Sequence, residues 1–200
     1  MSFLIALAAQ MSAAEPKYMW FSNDDTPVQE IAGRDFVRVR LRLTIPSDGR
    51  VHACEIEQSS GNPRIDLYTC ELTRKRALFR PARSPAGDVT YGVYRVPVVW
   101  ATKPLDLLPS GDLSVPVKEL PKGVHPPISV RLMFAVDNAG QISSCDGEPP
   151  WSSGIRPNNP ALVSIACDQL LRSWKAAPAK DEKGRSVSSV QNATVVITKG

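Results

Sequence analysis

The feature that most constrains this chain is that it is written twice. Residues 37–100 set above residues 129–197 fall into register: Arg40-Leu41, Gly49 and Cys54 stand over Arg131-Leu132, Gly140 and Cys145 at an offset of 91. The second copy then gains six residues in the stretch 146–158. From there the offset is 97, and Asn62-Pro63, Cys70, Pro81-Ala82 and Gly87 stand over Asn159-Pro160, Cys167, Pro178-Ala179 and Gly184. Cysteine, glycine and proline are residue types with covalent or backbone roles, so their coincidence at two fixed offsets marks a duplicated module. The copies occupy residues 24–101 and 128–200. Between them, residues 102–127 carry Pro104, Pro109, Pro116, Pro121, Pro126 and Pro127. Such a stretch favours extended, semi-stiff chain, either as a linker or as an extra edge segment laid along a domain.

Within each copy the hydrophobic period changes in the same order. Val37, Val39, Leu41, Leu43 and Ile45 alternate with Arg38, Arg40, Arg42 and Thr44, the pattern of a half-buried strand with one wet face. Ser47-Asp48-Gly49 turns the chain and residues 51–57 return as a second strand. Asn62-Pro63 opens a helix over 64–78, which Pro81 cannot continue. Residues 88–100 close the copy as a strand whose Pro97 points to an edge or a bulge. In the second copy Val130, Leu132, Phe134 and Val136 alternate, residues 137–140 turn, and a helix over 160–174 sets Leu162, Ala166, Leu170 and Trp174 on one face. Residues 187–198 form its last strand. The expected fold is α+β: two tandem β-β-α-β modules, each a three-stranded antiparallel sheet covered by one helix.

A module of about 75 residues buries only a marginal core, and the cysteines answer that problem. Cys54 falls on the second strand and Cys70 on the helix that covers it; Cys145 and Cys167 hold the equivalent places. The expected bridges are Cys54–Cys70 and Cys145–Cys167, each worth about 3 kcal/mol by loop closure; the alternative is four buried free thiols. Bridges require an oxidising compartment. The apolar stretch 3–9, followed by small Ser12 and Ala14, agrees with this by reading as the end of a secretory signal over residues 1–14, cut after Ala14. An upstream start would lengthen it into a membrane anchor; as written, no uninterrupted apolar run reaches the 18 residues of a spanning helix.

The stretch DGRVHACEIEQSSGNPRIDLYTC, followed by FRPARSPAGDVTYGVYRVPVVW, resembles the C-terminal domain of TonB-type energy transducers. Asp48-Gly49-Arg50-Val51, Ser59-Ser60-Gly61, Phe79, Pro81-Ala82 and Val96-Pro97-Val98 stand at that family's turn, loop, post-helix and last-strand positions. The second copy keeps Ala139-Gly140-Gln141-Ile142, Asn159-Pro160-Ala161-Leu162, Trp174 and Pro178-Ala179. The resemblance implies a periplasmic module that pairs by strand addition with envelope proteins, such as the N-terminal segments of TonB-dependent outer-membrane receptors, in energy-coupled transport. It implies that the last strand of each copy is the open acceptor edge. The partner-binding residues are then Tyr91, Val93, Tyr94, Val96, Val98 and Trp100 in the first copy and Val187, Val190, Val195 and Ile197 in the second. Residues 15–35 are too short for a transducer's periplasmic spacer, so the chain as written binds rather than pulls. A full energy transducer with an upstream inner-membrane anchor is one alternative. The other is a structural or cell-wall-binding protein using the basic stripe Arg38, Arg40, Arg42 and Arg131, a stripe more simply read as a solvated strand face.

An enzyme is not expected. His52 lies on a strand without a partner, His125 lies between the copies, Ser59-Ser60-Gly61 lacks the flanks of a nucleophile elbow, and no C-x-x-C is present. Asp66 and Glu71 read as ordinary helix-surface carboxylates. Two histidines and four cysteines make no metal-ligand cluster, so no metal or cofactor is expected. A net charge of +4 does not argue for nucleic acid. Trp151 is read either as a cap on the core or as a partner surface.

Overall fold

The computed structural model describes residues 10–104, 110–149 and 159–200. The apolar start 3–9, Trp151 and most of the stretch 146–158 therefore lie outside the described residues. In chain order the elements are β1 (Glu15–Pro16), β2 (Phe36–Ile45), β3 (Ala53–Gln58), α1 (Pro63–Arg76), β4 (Phe79–Arg80), β5 (Ala82–Arg83), β6 (Val89–Ala101), β7 (Leu113–Val117), β8 (Ile128–Val136), β9 (Ile142–Gly147), α2 (Pro160–Ser173), β10 (Ala179–Lys180), β11 (Ser186–Val187) and β12 (Ser189–Lys199).

Both helices start as the Asn-Pro pairs require. The Asn62 side chain accepts from the Arg64 N–H and the Asn159 side chain from the Ala161 N–H, with proline at the first helical position, where a missing N–H costs nothing. The repeated glycines also have a physical reason. Gly49 and Gly140 have φ of 77° and 85°, and a Cβ on either would collide with a backbone carbonyl just past the helix of the same copy, that of Phe79 or of Ala176. Each glycine thus locks the strand turn onto the helix exit.

Two separate three-stranded antiparallel sheets, each covered by one helix, are not what forms. One eight-stranded mixed sheet runs through both copies in the order β3-β2-β6-β12-β8-β9, with β5 paired to β6 and β7 paired to β12. The join is parallel: Ser189, Val190 and Gln191 of β12 pair with Tyr91, Gly92 and Val93 of β6. Each copy carries a last strand with one unused side, and an unpaired row of N–H and C=O groups is costly to leave open. The two copies close those sides against each other. Part of the proline-rich stretch joins them, since Leu113–Val117 pairs in parallel with residues 195–199 of β12.

The mirrored strand order and the parallel central pair describe a pseudo-two-fold axis along the strands, which puts the helices on opposite faces. Leu41, Leu43 and Ile45 face α1 in one core with Ile65, Phe79, Tyr94 and Trp100. Leu132, Phe134 and Val136 face α2 in the other with Leu162, Ala166, Leu170 and Ile197. Met133, on the face of β8 away from α2, packs into the first core. Where α1 buries polar side chains it satisfies them: Thr69 and Thr73 donate to the Ile65 and Thr69 carbonyls and accept the indole N–H groups of Trp100 and Trp20.

Residues 10–14, expected to leave with a leader, are laid against the first copy. Ser12 bridges Arg83 in both directions, Ala14 is 1% exposed, and β1 pairs with β4.

Candidate functional site

The two bridges join as the repeat requires, Cys54 to Cys70 and Cys145 to Cys167, with Cα–Cα distances of 5.7 and 5.8 Å. They place the chain in an oxidising, extracytoplasmic location. Among the described residues no helix is long and apolar enough to cross a membrane.

The strands named as open acceptor edges lie inside the sheet. Tyr91 and Val93 are paired to β12, while Val190, Val195 and Ile197 sit between β8 on one side and β6 or β7 on the other. Val93, Tyr94, Val98 and Trp100 are buried, Val96 is partly so, and Val187 belongs to the β10–β11 ribbon. Beyond Val93 no strand covers β6 on the side away from β2 among the described residues. That stretch still offers little to a guest strand. The Asn192 side-chain amide takes the first rung, accepting the Arg95 N–H at 2.6 Å and donating to the Arg95 carbonyl at 3.2 Å. By alternation the next outward residue is Pro97, which has no N–H.

The arginine stripe is not a solvated face. Arg40, Arg42 and Arg95 are 8%, 8% and 5% exposed and form the seam between the copies. Arg40 pairs with Asp112 just before β7, and Asp112 also accepts the Thr194 N–H of β12 at 2.6 Å. Arg42 bonds Glu55 at 2.6 Å and reaches the carbonyls of Ala177 and Pro178, past the end of α2. Arg95 bonds Glu57, the Gln191 side chain and the Asn192 carbonyl, with Trp174 against its guanidinium at 5.1 Å. Burial pulls the Arg95 guanidinium below its ordinary value, with Glu57 opposing. Arg131 bonds Glu148 at 2.7 Å and the Tyr94 hydroxyl at 3.4 Å. Burial pushes that phenol up to about 12.

With the last strands occupied, β3 and β9 are the two ends of the long strand order among the described residues. The two copies treat them differently. Beside β3, the loop 59–62 is cinched to α1 by Asp66, which accepts from the Ser59 hydroxyl at 2.5 Å and the Ser60 N–H at 2.9 Å. Burial alone would raise this carboxyl, but those hydrogen bonds outweigh it and hold the group below the usual carboxylate range. Asp66 is 8% exposed and is a clamp, not the surface carboxylate expected. The charged Glu55 and Glu57 further guard the β3 edge.

Val163 stands at the Asp66 position of α2, so the second copy has no such clamp. In its place a groove of about 520 Å³ opens between β9 and α2. Cys145, Asp146, Gly147, Glu148 and Pro149 line the strand side; Pro160, Val163, Ser164, Cys167 and Asp168 line the helix side. The Glu148 N–H turns inward to the Arg131 carbonyl, so by alternation the main-chain groups of Cys145 and Gly147 face outward. Alternation of side chains aims Cys145 at α2, to which it is bonded, and Ser144 at the other face, where its hydroxyl meets the Met11 sulfur. Residues 142–147 read ISSCDG, with no lysine or proline to guard the edge. The sequence signal for this site was the six-residue gain beside an Asp-to-Val change at the helix start.

Among the described residues no group of histidine, cysteine and acidic side chains is arranged to hold a metal ion. Compared with known protein families, curated proteins and solved structures, the chain matches none.

Proposed function

We propose that this chain is a periplasmic protein-binding module that receives an extended segment of an envelope protein by strand addition along β9. Main-chain bonds to Cys145 and to the Gly147 carbonyl supply affinity, the Gly147 N–H being held by the Asp146 carboxylate, and alternate side chains of the guest enter the groove against α2. The observation that carries this reading is the coincidence, in the second copy, of an edge strand without lysine or proline and a groove against α2. The resemblance to TonB C-terminal domains supports strand addition as the mode and outer-membrane receptor segments in energy-coupled transport as the guest. Because the last strands are paired in the seam, this reading takes β9 as the acceptor in their stead.

In-cell photo-crosslinking tests it, with the probe at exposed Ser143 on β9 and, for comparison, at exposed Glu55 on β3. The expected result is capture of receptor N-terminal segments from Ser143 and not from Glu55. Equal capture at both positions, or none at Ser143, overturns the reading.

A further inference from the structure

We infer that the segment received along β9 is cationic, with a lysine or arginine beside Asp146 and small apolar side chains in the groove. This rests on the strand-addition reading above.

The argument comes from one cross-strand position seen in both copies. In the first, Arg42 of β2 lies opposite Glu55 of β3, and the two side chains bond at 2.6 Å. In the second, Met133 of β8 lies opposite Asp146 of β9. The acid is kept and its cation is gone. Met133 cannot serve as one; it is 6% exposed and packs in the first core. Asp146 is exposed, and its carboxylate accepts the Gly147 N–H at 2.7 Å. The nearby arginine, Arg131, is committed to Glu148. A second carboxylate, that of exposed Asp168, stands on the helix wall of the groove. No salt bridge among the described residues ties Asp146 or Asp168 to a cation.

The geometry assigns the charges to the guest. A strand added to β9 sets its side chains alternately on the two faces. Those on the α2 side enter the groove, where Val163, the Cys145–Cys167 bridge and Pro160 favour small apolar groups. Those on the other side lie across from Asp146, where a lysine or arginine can pair with it from the outer side of β9, as Arg42 pairs with Glu55 from the inner side of β3 in the first copy. A further basic residue along the groove meets Asp168. An acidic segment would place like charge at both ends of the site.

The test is selection of a displayed random octapeptide library on the oxidised full chain, repeated on Asp146→Asn and Val163→Asp. Circular dichroism confirms that both variants are folded. The expected result is enrichment of alternating sequences with Lys or Arg at every second position. Those peptides should bind Asp146→Asn about fivefold more weakly, the size of one exposed ion pair, and should not bind Val163→Asp. Enriched peptides that bind Asp146→Asn as well as wild type overturn the cationic assignment while leaving strand addition standing. Peptides that bind Val163→Asp equally well, or no enrichment at all, overturn both.

Discussion

Asp66 and Val163 occupy the same place on two copies of one helix, and what surrounds them has diverged in opposite directions. In the first copy the carboxylate cinches a four-residue loop, the neighbouring edge strand is charged, and every glutamate along it meets an arginine of the seam. In the second copy the clamp is a valine, the arginine facing Asp146 is a methionine, and a groove lies open beside a strand whose acid has no arginine opposite it. Duplication gave two modules with the same need to cover a last strand. Once they covered each other, one outer edge was free to specialise while the other stayed closed.

The largest expected effect falls on the seam that makes this division possible. Arg95 and Asn192 are equivalent positions that bond one another, and Arg95→Ala leaves Glu57 and Gln191 without their buried cation. Stability should fall by about 3–5 kcal/mol, read by chemical denaturation, with both copies unfolding at a common midpoint. Separate transitions for the two copies would break the picture of a shared sheet. Next come the bridges. Replacing either cysteine pair by serine should lower stability by about 3 kcal/mol, but only loss of Cys145–Cys167 should abolish peptide capture, because only that bridge lines the groove. The smallest effect sharpens the Asp66 comparison. Asp66→Ala should cost about 1–2 kcal/mol at neutral pH. Its folded carboxyl lies below the ordinary value, so this contribution is present above about pH 4 and disappears as pH falls through the lowered value. The difference between wild type and variant, followed by denaturation from pH 7 to pH 2, checks the sign. Val163→Asp, at a half-buried position packed against the second core, should cost about 1 kcal/mol.

The same contrast explains how much could be read from the sequence. The repeat, the Asn-Pro helix starts, the bridges and the turn glycines were legible because each depends on residues close in sequence or on a covalent pair. The fused sheet was not. Strand pairing uses main-chain groups, so Val93 and Val195 look alike whether the side of the strand away from its first partner is solvent or another strand. The arginines misled for a related reason. Alternation with valine and leucine is the signature of a wet face, and it is equally that of a buried face whose acids lie elsewhere in the chain, Glu55 and Glu57 on β3 and Asp112 just before β7. Pro97 did carry information: it lies just past the point where β12 leaves β6. Of the candidate site, the gain of six residues was visible, but its meaning depended on knowing that Asp66 is a clamp.

The central position of β12 also bears on how the molecule is made. A chain threaded across a membrane emerges from its N-terminal side, so β6 leaves first and the Asn192 amide that completes its ladder follows 97 residues later. During that interval the first copy is a module with a bare flank. Its staple can form early, since Cys54 and Cys70 are only 16 residues apart, but its flank stays adhesive to any strand it meets. A chain cut short before residue 189 is released with that flank exposed, and aggregation or proteolysis is its expected fate.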